Sequence, residues 1–285
     1  AVNYDSVANV DDGSCIACDP NITTTSIPDD AFETLLEANG MGNGVSGDNS
    51  IDTANIVNVT TLNAQWSSGM KKITDLTGIQ DFCSLEILDV DFNAIVNLDV
   101  SNNHQLKELY AMRNIPSGTG STYSITNINV SGCPLLEKIS MEFHYLSSIE
   151  LIDPSTGDAY NPLLERLSLR GGATYSNAGF GGIQNIDVSK NVNLTHLTID
   201  TNSLQSLDLS NNPNMVYLDV ADNYLSTLNL ANGNTANMTF RANNQAQAYT
   251  TPLVVTVDPG LAAGYNANNG AGFCIACDAN TTYVE

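Results

Sequence analysis

The side chains best suited to chemistry in this sequence are four cysteines in two C-x-x-C pairs. Both pairs lie in the pentapeptide CIACD, at 15–19 and again at 274–278. Such pairs form disulfides, bind zinc or carry redox chemistry. Thioredoxin-type redox work places C-x-x-C at a helix start in a β-α-β setting, which the sequence does not indicate. An extracellular setting favours local disulfides, and a four-cysteine zinc site would need a second subunit. The predicted bonds join Cys15 to Cys18 and Cys274 to Cys277.

The duplicated pentapeptide also bears on organisation. Its flanking glycine and asparagine repeat at the same spacing. We therefore expect a boundary motif of a longer tandem protein, or two ends that join successive copies of the chain. The remaining cysteines, Cys83 and Cys133, fall inside the central pattern and are predicted to be small buried hydrophobic residues.

Hard oxygen ligands precede the first pair. The stretch NYDSVANVDDGSC supplies Asp5, Asp11 and Asp12, which suit calcium, although no complete EF-hand series is present. Calcium at these carboxylates is the one cofactor that the sequence suggests.

Catalytic constellations are missing from the pattern of residues. Three histidines, at positions 104, 144 and 196, are the only ones, and no nucleophile, metal-hydrolase or nucleotide-binding motif is present. Many carboxylates, such as Asp99, Asp187 and Asp208, recur at one position of an L-D-L-S pattern. A residue required once per repeat is usually architectural, so we predict that the protein is not an enzyme.

The charge balance limits which classes of binding partner are expected. The 285 residues include 9 Lys and Arg against 31 Asp and Glu, a net charge of −22. This excess argues against nucleic acid and anionic membrane surfaces. No apolar run reaches the ~20 residues that span a bilayer, so no membrane insertion is predicted. The start at Ala1 and the Asn-, Ser- and Thr-rich polarity favour a mature or excised extracellular product.

A repeat of about 21 residues organises the centre of the chain. Its template is L-x-x-L-x-L-x-x-N-x-L-x-x-L-D-L-S-x-N, with an inward-facing strand in each L-x-x-L-x-L segment. One repeat cannot bury its own apolar face, whereas stacked repeats form a continuous parallel sheet. Asparagine closes the strands at positions 93, 114, 202, 223 and 243, while His144 and Gly172 replace it twice. Copies begin at Leu85, Leu106, Leu136, Leu164, Leu194 and Met215, and a half-copy begins at Thr235.

This pattern resembles the bacterial leucine-rich repeat family, in particular its short 21-residue class from surface proteins, over roughly residues 56–244. The resemblance implies a mostly β solenoid of the α/β type, either a horseshoe or a straight coil. The IPD-x-x-F opening and the Asp-rich stretch resemble secreted proteins of Bacteroidota. Two D-S/T-apolar triplets resemble the O-glycosylation signal of that phylum, which would modify Ser6 and Thr53.

The ends of the repeats require caps. The stretch SIPDDAFETLLEANG predicts an N-terminal helix with Ser26 as its N-cap and Gly40 as its terminator. The predicted divisions are a cysteine-containing boundary motif at 1–25, an N-terminal cap and first coil at 26–84, repeats at 85–244, a C-terminal cap at 245–270 and a second boundary motif at 271–285.

Alternation along each strand predicts which side chains face solvent on the concave side. Four of the nine basic residues fall there in three adjacent repeats, beside aromatic residues. Those repeats are also longer, at 30, 28 and 30 residues, and glycine-rich insertions commonly carry binding loops. The predicted ligand-binding residues are Tyr110, Met112, Arg113, Glu142, Phe143, Arg166, Arg170, His196 and Tyr217, with Lys138 among the cations.

These features favour a secreted or surface-exposed adhesion module that binds a protein or glycan on another cell. A structural subunit or spacer of an extracellular filament, associating end to end, is the first alternative. An accessory module of a carbohydrate-active enzyme is the second.

Overall fold

The computed structural model describes residues 21–115, 125–172, 182–245, 252–267 and 273–285. The predicted ligands and modification sites before residue 21 (Asp5, Ser6, Asp11, Asp12, Cys15 and Cys18) lie outside this part of the chain. So do residues 116–124 and 173–181, which make up most of two of the three predicted insertions.

Short strands dominate the described residues, with two α-helices and three 3₁₀ turns among them. In chain order the elements are β1 Thr24–Ser26, α1 Asp30–Ala38, β2 Ser50–Asp52, a 3₁₀ turn Thr53–Asn55, β3 Thr61–Asn63, a 3₁₀ turn Ile79–Asp81, β4 Ile87–Asp89, β5 Asn97–Asp99, β6 Glu108–Tyr110, β7 Asn127–Asn129, β8 Lys138–Ser140, β9 Arg166–Ser168, β10 His196–Thr198, β11 Ser206–Asp208, β12 Tyr217–Asp219, β13 Thr227–Asn229, a 3₁₀ turn Thr235–Asn237, β14 Thr239–Ala242, β15 Val254–Thr256, α2 Ala262–Ala267, β16 Cys274–Cys277 and β17 Thr282–Val284.

One large parallel sheet runs along the repeats, as predicted. Its strands follow the order β3-β4-β6-β8-β9-β10-β12-β14-β16. The central residue of each repeat strand lies opposite its counterpart, so Leu197 pairs with Leu167 and Leu218. These central side chains form one core with the remaining leucines of the template. Stacking therefore buries a stripe that no single repeat could bury alone.

A second parallel sheet lies on the other side of the core. The second half of each repeat, L-x-x-L-D-L, supplies its strands, in the orders β5-β7 and β11-β13-β15-β17. The acidic residue that ends such a strand serves the turn that follows, an architectural role as predicted: the carboxylates of Asp99 and Asp208 accept from Ser101 and Ser210 N–H at 3.0 and 2.9 Å. The sheet is interrupted between β7 and β11.

Asparagine side chains close the turns after β4, β6, β10 and β12 of the large sheet. Asn223 Nδ2 donates to the carbonyl oxygens of Ile199 and Val220 at 3.0 and 3.1 Å, and its Oδ1 accepts from Leu204 N–H at 3.0 Å. Buried backbone groups that would otherwise lack partners are satisfied in this way. The buried residues Asn93, Asn114 and Asn202 make the same contacts.

His144 takes this role where the template is broken. Its Nε2 lies 3.0 Å from the Leu169 carbonyl oxygen, and its Nδ1 accepts from Leu146 N–H at 3.1 Å. His144 therefore has the structural role that its place in the template indicates, since it satisfies the turn as asparagine does elsewhere. Burial lowers its pKa to about 4, although the hydrogen bond to Leu169 opposes this shift.

The last repeat differs in register from the sequence prediction. Phe240 pairs with Leu218 and is therefore the central residue of its strand. Gln245, and not Asn243, then closes the turn: its Nε2 donates to the Val220 carbonyl and its Oε1 accepts from Leu225 N–H. Because glutamine replaces asparagine here, the template did not identify the register of this repeat from the sequence.

A second ladder of asparagines was not predicted. Asn212 Nδ2 donates to the carbonyl oxygens of Val188 and Asn191, both at 2.9 Å. Cys133 occupies the equivalent place and its thiol lies 3.1 Å from the Val100 carbonyl oxygen. It is buried and unbonded as predicted, and burial raises the pKa of its thiol to about 12. The other members are Asn103, Asn161, Asn191 and Asn232.

Helix α1 is present where predicted, with its apolar side chains Phe32, Leu35 and Leu36 in the common core. Its N-cap is Asp29 rather than Ser26, since Asp29 accepts from two N–H groups of the first turn while its other oxygen accepts from the 74–75 loop. Partial burial opposes ionisation of Asp29, but these hydrogen bonds outweigh it and lower its pKa overall. Gly40, at φ +72°, follows the helix end as predicted.

The loop after α1 is held by glutamates of the helix. The buried carboxylate of Glu33 accepts from the N–H groups of Gly47, Asp48 and Asn49, and Glu37 accepts from Asn43 N–H. Backbone N–H groups of this glycine-rich turn thus have protein partners, which accounts for its compact form.

The end of the described chain belongs to the solenoid. Strands β16 and β17 are the outermost strands of the large and second sheets. Residues 273–285 therefore form a further coil of the solenoid, within the stretch predicted as the second boundary motif, 271–285. Cys274 and Cys277 are bonded to each other as predicted. Cys83, by contrast, is disulfide-bonded, so its assignment as a plain buried thiol is wrong.

Candidate functional site

The outward-facing side of the large sheet gathers all nine predicted ligand-binding residues. We call it the large-sheet face and define it by the residues that flank each central strand residue and by the two positions that close each L-x-x-L-x-L-x-x segment. All nine side chains are exposed or half-buried there. Tyr110, Arg166, His196 and Tyr217 lie on β6, β9, β10 and β12, whereas Met112, Arg113, Glu142, Phe143 and Arg170 follow β6, β8 and β9.

A stack of arginine and phenylalanine forms the centre of this face. The guanidinium carbons of Arg113 and Arg170 lie 4.5 and 5.7 Å from the Phe143 ring centroid. Arg170 Nε also lies 3.1 Å from a carboxylate oxygen of Asp200, a side chain that is mostly buried. Burial raises the pKa of Asp200 while Arg170 opposes that rise. The ion pair therefore fixes one cation beside the ring and leaves Arg113 at the surface.

A second group lies on the neighbouring strands. Lys138 Nζ donates to the Tyr110 hydroxyl at 2.9 Å and lies 4.6 Å from its ring centroid, and that hydroxyl donates to Glu108. The His196 and Tyr217 rings are 6.2 Å apart. Partial burial, followed by the charge of Arg166, lowers the pKa of His196, which favours the neutral form of this imidazole.

The backbone beneath the central stack is unusual. Arg113 and Phe143 have φ angles of +51° and +60°, in the left-handed region. The equivalent residues Asp222 and Asn244 have +54° and +59°, and these are residue types that adopt that region more readily. A bulky residue there costs about 1–3 kcal/mol, and such strain is concentrated at functional sites.

Two aromatic residues of the same row were missed in the sequence. Phe92, at φ +61°, and Trp66 occupy this position in the preceding coils, and Lys72 Nζ lies 5.2 Å from the Trp66 ring. The row along the sheet therefore reads Trp66, Phe92, Arg113, Phe143. The template already marked Phe92, since it precedes Asn93 as Arg113 precedes Asn114, whereas Trp66 lies in a coil whose template match is poor.

The pKa of one carboxylate near this row is also shifted. Burial raises the pKa of Asp91 to about 6, an effect that the nearby charges of Asp89 and Glu142 increase and that a hydrogen bond from Met112 N–H opposes. Asp91 therefore titrates in mildly acidic solution, where the charge of this face changes.

Metal and modification sites gain no support from the described residues. They contain no group of three or more metal-ligating side chains with suitable geometry, and the predicted calcium ligands lie outside them. The Thr53 side chain is buried and its hydroxyl lies 2.9 Å from that of Thr25. This environment leaves no room for a glycan on the folded chain and argues against the prediction at Thr53.

Comparison with known proteins supports the fold class. No model of a protein family matches the sequence, and no curated protein matches it. Among solved structures, the chain is similar to InlP of Listeria monocytogenes, with 19% identity over 88% of this chain and 69% of that chain and a TM-score of 0.51. Internalin C2 of the same species gives 19% identity over 83% and 98% with a TM-score of 0.48. A Leptospira interrogans LRR protein gives 17% over 61% and 41%, also at 0.48.

At these identities the likeness concerns the fold alone. The repeat strands and their asparagine ladder define the structural class of leucine-rich repeat solenoids, and the likeness to InlP, at a TM-score of 0.51, agrees with that fold. Function must be argued from the site, because one fold serves many functions. The large-sheet face offers stacking rings, cations and hydrogen-bond groups, which is chemistry for recognition.

Proposed function

We propose that this chain is an extracellular binding module of a bacterial surface protein, and that its large-sheet face adheres to a partner protein. The observation that carries the proposal is the pair of bulky residues, Arg113 and Phe143, held at left-handed positions. One sister coil carries Thr201 at the same place, and two others carry aspartate or asparagine. Folding alone would favour those residues, so the strained pair is best explained by selection for contact with a partner.

The charges of the face suggest what the partner presents. Four of the nine basic residues, Arg113, Lys138, Arg166 and Arg170, lie within three adjacent coils of a chain with net charge −22. Arg166 forms no ion pair with the described residues and is exposed. Arginine and aromatic side chains are common anchors of protein interfaces. A partner with an acidic patch around an apolar centre would complement this arrangement.

The extracellular setting rests on the disulfide chemistry. The Cys274–Cys277 bond and the disulfide-bonded Cys83 are features of proteins that fold in an oxidising compartment. The helices of the described residues include none that is long and apolar enough to cross a membrane.

A charge-reversal experiment tests the binding proposal. The purified chain is used to capture extracellular proteins, captured proteins are identified by mass spectrometry, and affinities are measured by surface plasmon resonance. Arg166→Glu should lower the affinity for a true partner by about tenfold or more, and this loss should be smaller at high salt. Lys190→Glu makes the same charge change on the second-sheet side and should leave affinity unchanged. Equal affinities for both variants would reject the large-sheet face as the binding surface.

A structural role is the second candidate, favoured by the order of the strands. Strands β16 and β17 lie together at one end of the large and second sheets, and a sheet edge readily adds further strands. A second copy stacked on this end would continue both sheets. Light scattering over a range of protein concentrations tests this, since end-to-end association predicts a mass that rises with concentration, and a constant monomer mass would exclude it.

A further inference from the structure

The second sheet contains a cleft where its strand order is broken. Strand β7 pairs with β5 on one side, while the next coil forms no strand against it. Ile128, the central residue of β7, is half-exposed, whereas its counterparts Leu98 and Leu228 are each 1% exposed. Residues 126–131 and 147–150 line the opening, which has a volume of about 430 Å³ with Tyr160 at its side. This volume is in the range of small-ligand sites, about 300–1,000 Å³.

An insertion produces the cleft. The repeat that begins at Leu136 has 28 residues. Ser148–Glu150 occupy the register of β11, but the chain then turns into a small hairpin in which Ile152 bridges Ala159. Asp153 orders its turn by accepting from Ser155 N–H and hydroxyl at 2.8 and 2.6 Å.

Both ends of the insertion are anchored in the core. Leu151 is 2% exposed, and its carbonyl accepts from Tyr160 N–H at 2.9 Å. Asn161 is fully buried and donates to the Val130 and Cys133 carbonyls. The position of Tyr160 is therefore fixed by its neighbours on each side, and the insertion points to the second sheet rather than to the large-sheet face.

The polar groups of the cleft differ from those of regular coils. Asp99 and Asp208, at the position of Glu150, accept hydrogen bonds from the serine two residues later. Glu150 is followed by Ile152 at that spacing, so this turn does not form. Among the described residues, the side chains of Ser147, Ser148 and Glu150 have no hydrogen-bond partner, and all three are exposed.

We propose that this cleft is a binding site for a neutral saccharide. A pyranose ring presents C–H groups on its faces and hydroxyls around its edge. Ile128 and the Tyr160 ring supply apolar surface for such a face, and tyrosine combines that surface with a polar tip. The Ser147 and Ser148 hydroxyls donate or accept, and the Glu150 carboxylate accepts from sugar hydroxyls.

The charge of the cleft selects against anionic sugars. Glu150 is the charged residue among those that line it, and the chain as a whole carries −22. A sialylated or sulfated sugar would meet repulsion from both. An uncharged ligand with many hydroxyls fits the unpaired groups without that cost.

A glycan array of neutral and sialylated oligosaccharides, followed by calorimetry with the strongest neutral binder, tests the assignment. Tyr160→Ala should weaken that binder by about tenfold, because it removes the aromatic surface that a sugar face would cover. Glu150→Gln should weaken it less, since the amide still accepts. Tyr224→Ala is the matched control: Tyr224 is 42% exposed and lies outside the cleft.

The outcomes separate this site from the large-sheet face. The Arg166→Glu variant should still bind the sugar, and the Tyr160→Ala variant should still bind the partner protein. The saccharide assignment is overturned if no neutral glycan binds, if sialylated glycans bind equally well, or if Tyr160→Ala behaves as Tyr224→Ala does. The assignment would also be overturned if a partner protein, and no sugar, covered the Tyr160 side chain. Thermal unfolding of each variant by circular dichroism shows whether a loss reflects misfolding.

Discussion

Residues 85–172 and 194–245 are built from one repeat, but the two regions use it differently. The second region keeps its second-sheet strands continuous from β11 to β13 and carries Thr201, Asp222 and Asn244 at its left-handed positions. The first region interrupts that sheet and carries Phe92, Arg113 and Phe143 there. The cleft and the Arg113–Phe143 stack at the centre of the large-sheet face both lie in the first region. The coils that depart from the repeat therefore carry the proposed binding surfaces, and the regular coils beside them hold these surfaces in place.

The largest effect should come from removing a ladder amide in the regular region. Asn223→Ala would leave the Leu204 N–H and the Ile199 and Val220 carbonyls without their side-chain partner, so we expect a loss of about 4 kcal/mol in the free energy of unfolding. Urea denaturation measures it. Asn211→Ala, at an exposed neighbour, should change stability by less than about 0.5 kcal/mol. Similar losses for both would show that the ladder contributes little.

The irregular region should differ by its sensitivity to acid. The folded-state pKa of His144, about 4, is below its ordinary value of 6.5, so the unfolded chain binds more protons between these values. Stability should fall as pH drops through this window, by up to roughly 3 kcal/mol at pH 4 relative to pH 7. His144→Asn restores the template residue and should remove this contribution. Parallel pH profiles for the two proteins would contradict the assignment.

Core truncations should show how open the interrupted sheet is. Leu228→Ala removes a fully packed side chain and should cost about 3 kcal/mol, whereas Ile128→Ala at the half-exposed equivalent should cost about half as much. Chemical denaturation of both variants measures the difference. Equal costs would mean that the cleft is filled in solution.

The smallest effect concerns the left-handed positions. Arg113→Asn and Thr201→Asn should each raise stability by about 1 kcal/mol, because asparagine tolerates this backbone conformation. Only Arg113→Asn should weaken binding to the partner protein. Calorimetric melting and surface plasmon resonance give the two readouts, and a destabilised Arg113→Asn would show that this arginine serves packing instead.

The sequence predicted much of the scaffold because the same demand recurs in every coil. Leucine spacing, the asparagines that close the turns and the role of His144 were all readable from position in the template. Prediction failed where one residue replaces another of similar function. Gln245 substitutes for asparagine with a longer side chain, Asp29 caps the helix in place of Ser26, and Cys83 is bonded although nothing nearby in sequence marks it.

The sequence by itself determined the repeat, the parallel strands and the set of residues on the large-sheet face, since a period of fixed length places equivalent side chains in one row. Only the tertiary structure decided the second sheet, its interruption and the position of Tyr160. These depend on how an insertion packs against the preceding coil, with contacts such as that of Asn161 to Val130 joining residues about thirty positions apart. Such contacts leave no local pattern in the chain.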